Sequence, residues 1–169
     1  MITAMTLAPL VAAILIIALP AQRARAVALA GVLVSFALIA WMLVQFNNTL
    51  TGLQFMEFHK WIPDLEINYH VALDGTNALV LLLAALLAPI VVLISWGHND
   101  RPKTYFSLLS LQFTGLFGTF TALNFFHWFI YWEMALVPAF FLIKLFGKSE
   151  DRHKAAINFF LFTVLGSVA

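Results

Sequence analysis

The sequence contains no cysteine in 169 residues. That removes disulfides, thiolate metal sites and cysteine-held iron–sulfur clusters. Charge is also scarce: Asp, Glu, Lys and Arg make up 10% of the chain, against about 25% in soluble domains. There is no Gly-rich phosphate loop, no nucleophile spaced to a base, and no pair of histidines placed to hold a haem. His59, His70, His98 and His153 fall in loops without metal-ligand spacing and are assigned no role. Nothing in the sequence points to redox chemistry carried by this chain, and a net charge of +1 gives no footing for nucleic acid. Basic residues are missing ahead of Ile2 as well, so the first apolar segment reads as a retained helix rather than a cleaved signal.

What the chain does have is apolar surface. Hydrophobic residues make up 63% of it, and the mean hydropathy is +0.95. This is the composition of an integral membrane protein. Six apolar segments can be marked: Ile2–Pro20, Ala26–Phe46, Gly75–Trp96, Tyr105–Leu123, Phe125–Phe146 and Ala155–Ala169. The last is shorter than the roughly 20 residues a spanning helix needs. The expectation is an all-α, polytopic transmembrane bundle of about five complete helices and a truncated sixth, forming a single, partial membrane domain over residues 1–169.

The basic residues sort by loop. Arg23 and Arg25 follow the first segment, Arg101 and Lys103 the third, and Lys148, Arg152 and Lys154 the fifth, with Lys144 at that segment's end. The other side holds only Lys60, with Glu57, Asp64, Glu66 and Asp74. The positive-inside rule makes the basic side cytoplasmic and puts the N-terminus outside. Within the long external loop Asn47–Asp74, Leu65, Ile67, Tyr69, Val71 and Leu73 alternate with Glu66, Asn68, His70 and Ala72. That is the period of a half-buried strand. With a turn at Pro63-Asp64 and a partner over Phe55–Trp61, it predicts a small external hairpin. In the fourth segment Ser107, Ser110, Thr114, Gly118 and Thr121 share one helix face, which suits close helix–helix packing.

One residue breaks the apolar pattern. Glu133 is the only carboxylate in the run Phe125–Ile143, and at about 1.5 Å per residue it lies roughly 12 Å from the run's start. That is deep in a core about 30 Å thick. A charge there costs several kcal/mol, so such residues face a protein interior or a hydrated path and mark proton or ion handling. Low dielectric favours the neutral form, so the residue can bind and release a proton, and a nearby cation would oppose this. The competing reading is a structural acid held by a hydrogen bond or ion pair. Pro138 cannot donate to the carbonyl of Met134 and should kink the helix there, freeing a carbonyl near the acid. Lys144, about 16 Å further along, is too far to pair and reads as an interfacial anchor. His127 sits near the outer end of the segment, where it is expected to face headgroups. The aromatic run Phe125–Trp132 reads as lipid-facing or packing surface.

Trp132-Glu133-Met134-Ala135-Leu136-Val137-Pro138, followed by Phe141-Leu142-Ile143 and Gly147, resembles the fifth-helix motif of the M-type (chain 4) antiporter-like subunits of the proton-pumping NADH–quinone oxidoreductase, respiratory complex I. Val71-Ala72-Leu73-Asp74-Gly75 is similar to that family's entry to the third helix, and Lys154–Thr163 with Gly166-Ser167 to its entry to the sixth. The Trp-Glu pair is common to all antiporter-like subunits, and the Leu-Val-Pro continuation favours the M type over the L type. The resemblance covers about residues 60–169; the first two segments agree only in length and hydrophobicity.

The resemblance implies that Glu133 is the family's fifth-helix glutamate, which modulates proton transfer with a lysine on a seventh helix beyond the end of this sequence. It implies a membrane subunit of NADH–quinone oxidoreductase that takes part in proton translocation, within an enzyme whose FMN, iron–sulfur clusters and quinone belong to partner subunits, with no cofactor in this chain. The implied surroundings are the other membrane subunits and the lipid of a bacterial inner membrane. The alternatives are a subunit of a multisubunit cation–proton antiporter or membrane-bound hydrogenase, and a non-transporting structural or assembly protein.

Overall fold

Apolar residues without interruption leave the backbone in a membrane one economical solution, which is to satisfy its own hydrogen bonds as helices. The computed structural model describes residues 1–168 except Asn48, Thr51 and Glu66. Expectations that involve Glu66 and the sixth segment's last residue, Ala169, fall outside the described residues. Among the described residues there are six α-helices: α1 (Ile2–Ala18), α2 (Ala24–Val44), α3 (Gly75–Ile94), α4 (Pro102–Thr121), α5 (Phe125–Phe146) and α6 (Arg152–Val168). The hairpin forms as expected between α2 and α3, with β1 (Gln54–Ile62) antiparallel to β2 (Ile67–Leu73) and a short 3₁₀ turn over Pro63–Leu65 joining them.

By length and composition, three stretches among the described residues are long and apolar enough to cross a bilayer: Ala21–Val44, Gly75–Gly97 and Phe125–Phe146. α1 is apolar but has 17 residues. α4 has 20 residues, and its serines and threonines make it more polar than its neighbours. The reason lies in its position. α4 is the central helix, packed most extensively on α5 and α1 and also touching α2 and α3. Its hydroxyls therefore face protein instead of lipid. Ser110, Thr114 and Thr121 are buried. Thr114 Oγ1 donates to the Ser110 carbonyl at 3.1 Å and Thr121 Oγ1 to that of Phe117 at 3.0 Å, both one turn back on the same helix. The packing role expected of this face is what is seen. The lipid-side surface is left to residues such as Leu79, Leu83 and Ile94 of α3.

Small residues set the helix spacing. A Cβ at Gly31 of α2 would lie 2.6 Å from Ala12 Cβ of α1. Ser35 Oγ, four residues on, donates across the same seam to the Met5 carbonyl at 2.7 Å. A Cβ at Gly115 of α4 would meet the backbone of α5, 2.5 Å from Ala135 N and 2.8 Å from the Tyr131 carbonyl oxygen.

The two ends of the bundle differ in chemistry. At one end Arg25, in the first turn of α2, donates to the His98 carbonyl at 3.1 Å. The His98 ring meets Phe146, the last residue of α5, at 5.0 Å. These contacts gather the three basic turns together. At the other end lies the hairpin, held by a backbone bridge between Val71 and Ala122 and by Leu123 N–H donating to the His70 carbonyl at 2.8 Å. That bridge explains a departure from simple alternation in β2, where Val71, Ala72 and Leu73 are all buried. The α4–α5 turn covers the side of the strand that would otherwise face solvent.

Candidate functional site

α5 starts where Asn124 caps it, its Oδ1 accepting from the backbone N–H of Phe126 at 3.1 Å and of His127 at 3.3 Å. This satisfies two of the donors that every helix start leaves free. The helix then runs without a break through Pro138 to Phe146. Pro138 is buried, as is Leu136, so this stretch of α5 is held on the bundle side.

Glu133 lies near the middle of α5 and is half-buried. It faces α6, where Ser167 Oγ lies 3.4 Å from Glu133 Oε1. That contact is long. The same hydroxyl has a shorter acceptor, the Val164 carbonyl at 2.9 Å, and one hydroxyl carries one hydrogen. Among the described residues no cation forms an ion pair with Glu133. Lys144 instead sits with its Nζ 5.3 Å from the centre of the Phe140 ring, one turn back on its own helix, a cation–π contact that fits an anchor. An apolar groove of about 340 Å³ opens between α4, α5 and α6, lined by Leu116, Phe120, Trp132, Leu136 and Phe159 among others. Glu133 is not part of its lining, so the groove is no polar route to the carboxyl.

The opposite face of α5 carries a second group of polar residues that the sequence reading did not assemble. His127 is only 7% exposed, so it does not face headgroups as expected. The hairpin covers it. Its ring packs on Tyr69 of β2 at 4.6 Å and stacks on Tyr131 one turn along at 4.8 Å, with Trp61 at 6.5 Å. The Tyr69 hydroxyl shares a hydrogen bond with Thr3 Oγ1 at 2.6 Å. Thr3 in turn donates to Glu57 through both its hydroxyl and its backbone N–H, the latter at 3.2 Å. The N-terminal ammonium of Met1 also pairs with Glu57. Burial raises the Tyr69 phenol above its ordinary range, and the hydrogen bond to Thr3 partly offsets this. Tyr69 thus stays a neutral phenol, able to donate and accept at once. The four-residue spacing of His127 and Tyr131 was visible in the sequence. The approach of Tyr69, Thr3 and Glu57 was not, because it depends on how the hairpin lies on the bundle.

The rest of the aromatic run behaves as read. Phe125, Phe126 and Trp132 remain exposed on the outer surface of α5.

Comparison with known proteins places these features. The family model described as NADH:quinone oxidoreductase/Mrp antiporter, TM, matches residues 122–169, the stretch that holds α5, α6 and Glu133. Chain 4 of an NAD(P)H-quinone oxidoreductase from Picosynechococcus sp. is 33% identical over 99% of this chain and 31% of its own length. The F(420)H(2) dehydrogenase subunit M of Methanosarcina mazei is 32% identical over 87% of this chain and 30% of its own. Among solved structures, a chain of respiratory complex I from Thermus thermophilus superposes with a TM-score of 0.84 at 27% identity, over 99% of this chain and 33% of that one. A chain of an archaeal membrane-bound sulfane sulfur reductase superposes at 0.81 with 19% identity, which speaks for the fold alone. This chain thus spans about a third of the length of the relatives it matches. With a membrane bundle of this fold and matches along nearly its whole length, the chain fits part of an M-type, chain 4 subunit among the antiporter-like subunits of the NADH–quinone oxidoreductases.

Proposed function

We propose that this chain is part of a membrane subunit of NADH–quinone oxidoreductase that takes part in proton translocation coupled to electron transfer, with Glu133 as the intramembrane protonatable residue. The observation that carries this reading is the setting of Glu133. It is a lone carboxylate in the middle of a 22-residue apolar helix, half-buried against α6 and without an ion-pair partner among the described residues. A permanently charged carboxylate in that place is costly, whereas one that takes up and gives off a proton is charged only for part of a cycle.

The enzyme activity belongs to the assembly. FMN, iron–sulfur clusters and quinone chemistry are assigned to partner subunits because the relatives are membrane subunits of NADH–quinone oxidoreductases. The partners are the other membrane subunits of the complex, and the setting is the inner membrane of a bacterium. The collection of Arg25, the Arg101 turn and the Lys148–Lys154 turn at one end supports a cytoplasmic location for that end and an outside location for the hairpin and N-terminus.

A second reading, a subunit of a multisubunit cation–proton antiporter, draws support from the shared family model. The third, a structural acid that only joins helices, is opposed by the long Ser167 contact. The test is Glu133→Gln in the complete subunit within its complex. Loss of proton translocation with assembly intact is the expected result. Translocation at the wild-type rate overturns the proposal.

A further inference from the structure

Grooves run between the helices on the surface of the bundle. Those between α1 and α2, between α3 and α4, and between α4, α5 and α6 are lined without a charged side chain. The groove between the end of α1 and the start of α4 is different. It has a volume of about 470 Å³ and is lined by Ile17 of α1 and by Lys103, Thr104, Ser107 and Leu108 of α4. The α4 residues are three, four or one apart and so share one face of that helix. Ser107 Oγ donates to the Ala13 carbonyl of α1 at 3.3 Å, which ties the two helices together beside the groove. Ile17 is 66% exposed, so the groove opens on the outside of the bundle.

Lys103 brings a positive charge to the rim. Several other cations at this end are engaged within the chain. Arg25 donates to the His98 carbonyl, Arg152 donates to the Gly147 carbonyl, and Lys144 lies over the Phe140 ring. Among the described residues Lys103 has no ion pair and no hydrogen bond from its amine, and the Thr104 hydroxyl beside it has no hydrogen bond either. Arg101 and Arg23 add exposed positive charge nearby, the latter from the 3₁₀ turn Ala21–Arg23, which touches α4. The neighbouring acid is Asp100, 3.9 Å from the Arg101 guanidinium.

Along α4 the groove changes from polar to apolar. Lys103 and Thr104 stand in the first turn of the helix, and Leu108 lies about 7 Å further along it. An anionic headgroup at the membrane surface followed by a hydrocarbon chain has the same order. A protein helix laid in this groove would have to bring a carboxylate to Lys103 or leave the ammonium desolvated and unpaired, which is costly. Basic pockets between membrane helices on the cytoplasmic side, in contrast, suit anionic headgroups. We infer that this groove holds an anionic phospholipid, with its phosphate paired to Lys103 and accepting from the Thr104 hydroxyl, and one acyl chain lying on Ile17 and Leu108. The inference does not depend on Glu133 carrying protons. It requires only that the basic end of the bundle lies at the membrane surface.

The test uses the complete complex in phosphatidylcholine nanodiscs that carry a photoreactive phosphatidylglycerol, with cross-linked residues located by mass spectrometry. The expected result is cross-linking at Ile17, Thr104 or Leu108 that unlabelled phosphatidylglycerol suppresses and added phosphatidylcholine does not. Lys103→Gln should raise the phosphatidylglycerol needed for half-suppression about fivefold, the contribution of one cation beside an anionic surface. Lys103→Arg should keep the parent value. Thr104→Trp, at an exposed position, should block the groove and abolish the cross-links with Lys103 still present. Absence of cross-links in the parent complex would mean that another helix fills the groove, and the inference is overturned. It is overturned equally if phosphatidylcholine competes as well as phosphatidylglycerol, because charge then plays no part. Glycerol phosphate competing as well as the whole lipid would leave a simple anion site and overturn the lipid. The same loss in Arg101→Gln as in Lys103→Gln would show a diffuse surface field in place of a site. If Lys103→Gln does not assemble, the competition in the parent complex and the Thr104→Trp block decide.

Discussion

Gly118 of α4 lies directly against the ring of Tyr131 of α5: a Cβ at position 118 would come within 2.2 Å of the ring's Cδ1 and 2.3 Å of its Cγ. Three residues earlier, Gly115 makes the corresponding approach to the α5 backbone. In hydrocarbon, helix association depends on this kind of close contact because water contributes no drive between apolar faces. Gly115→Ala is expected to cost about 1–3 kcal/mol or more, since the atoms it would strike are main chain and cannot swing aside. Gly118→Ala should also destabilise, by displacing Tyr131 from His127 and Tyr69. The thermal midpoint of the detergent-solubilised complex reads both. An unchanged midpoint in Gly115→Ala would show that α4 and α5 do not meet in this way.

Much of this arrangement can be read from residue order, and some cannot. α5 has the limits expected of it, because Asn124 and Gly147 bracket an unbroken apolar run. The hairpin follows from strand alternation around Pro63-Asp64. α4 was expected to pack through its small residues, and it does. What alternation and spacing do not carry is the approach of one element to another. Nothing local to Thr3 or Glu57 indicates that they meet, 54 residues apart. His127 shows the same limit: the cover that the hairpin puts over it depends on a bridge from Val71 to Ala122. Glu133 stood out because a single carboxylate in hydrocarbon is an anomaly of composition and needs no tertiary information.

Ser167 offers a check on how firmly Glu133 is held. Its hydroxyl is closer to the Val164 carbonyl than to the carboxyl, and O–H···O bonds span about 2.5–3.0 Å. Ser167→Ala is therefore expected to leave the Glu133 carboxyl band in the infrared difference spectrum almost unmoved, and to cost less than about 1 kcal/mol. A large shift of that band would mean that Ser167 gives its hydrogen to Glu133 during function.

Asp74 closes the hairpin and opens α3. Its side chain accepts from the backbone N–H groups of Thr76 and Asn77, both at 2.7 Å, while Asn77 Oδ1 accepts from Asp74 N–H at 2.8 Å. This is a reciprocal capping box. The Asn77 amide also donates to the Ala72 carbonyl at 3.1 Å, tying the cap to β2. Asp74→Ala should cost about 1 kcal/mol, and Asp74→Asn much less because it keeps an acceptor oxygen. Hydrogen exchange at Thr76 and Asn77 would register the loss. Equal protection in Asp74→Ala and the parent chain would count against the cap.

Tyr69 should make the docking of the hairpin sensitive to alkali. Burial raises its phenol above the ordinary value of 10.0, with the hydrogen bond to Thr3 acting against the shift. The sign follows from linkage: the docked phenol holds its proton more tightly than the same phenol in an unfolded chain. Its contribution is therefore fully present below about pH 10 and is lost as pH rises through the higher value of the docked state. Lysines and other tyrosines also titrate in that range, so the informative quantity is a difference between two chains. The thermal midpoint of the parent complex should fall more steeply between about pH 9 and pH 11 than that of Tyr69→Phe, which has nothing to ionise at this position. Parallel curves would show that Tyr69 is open to solvent on the hairpin side.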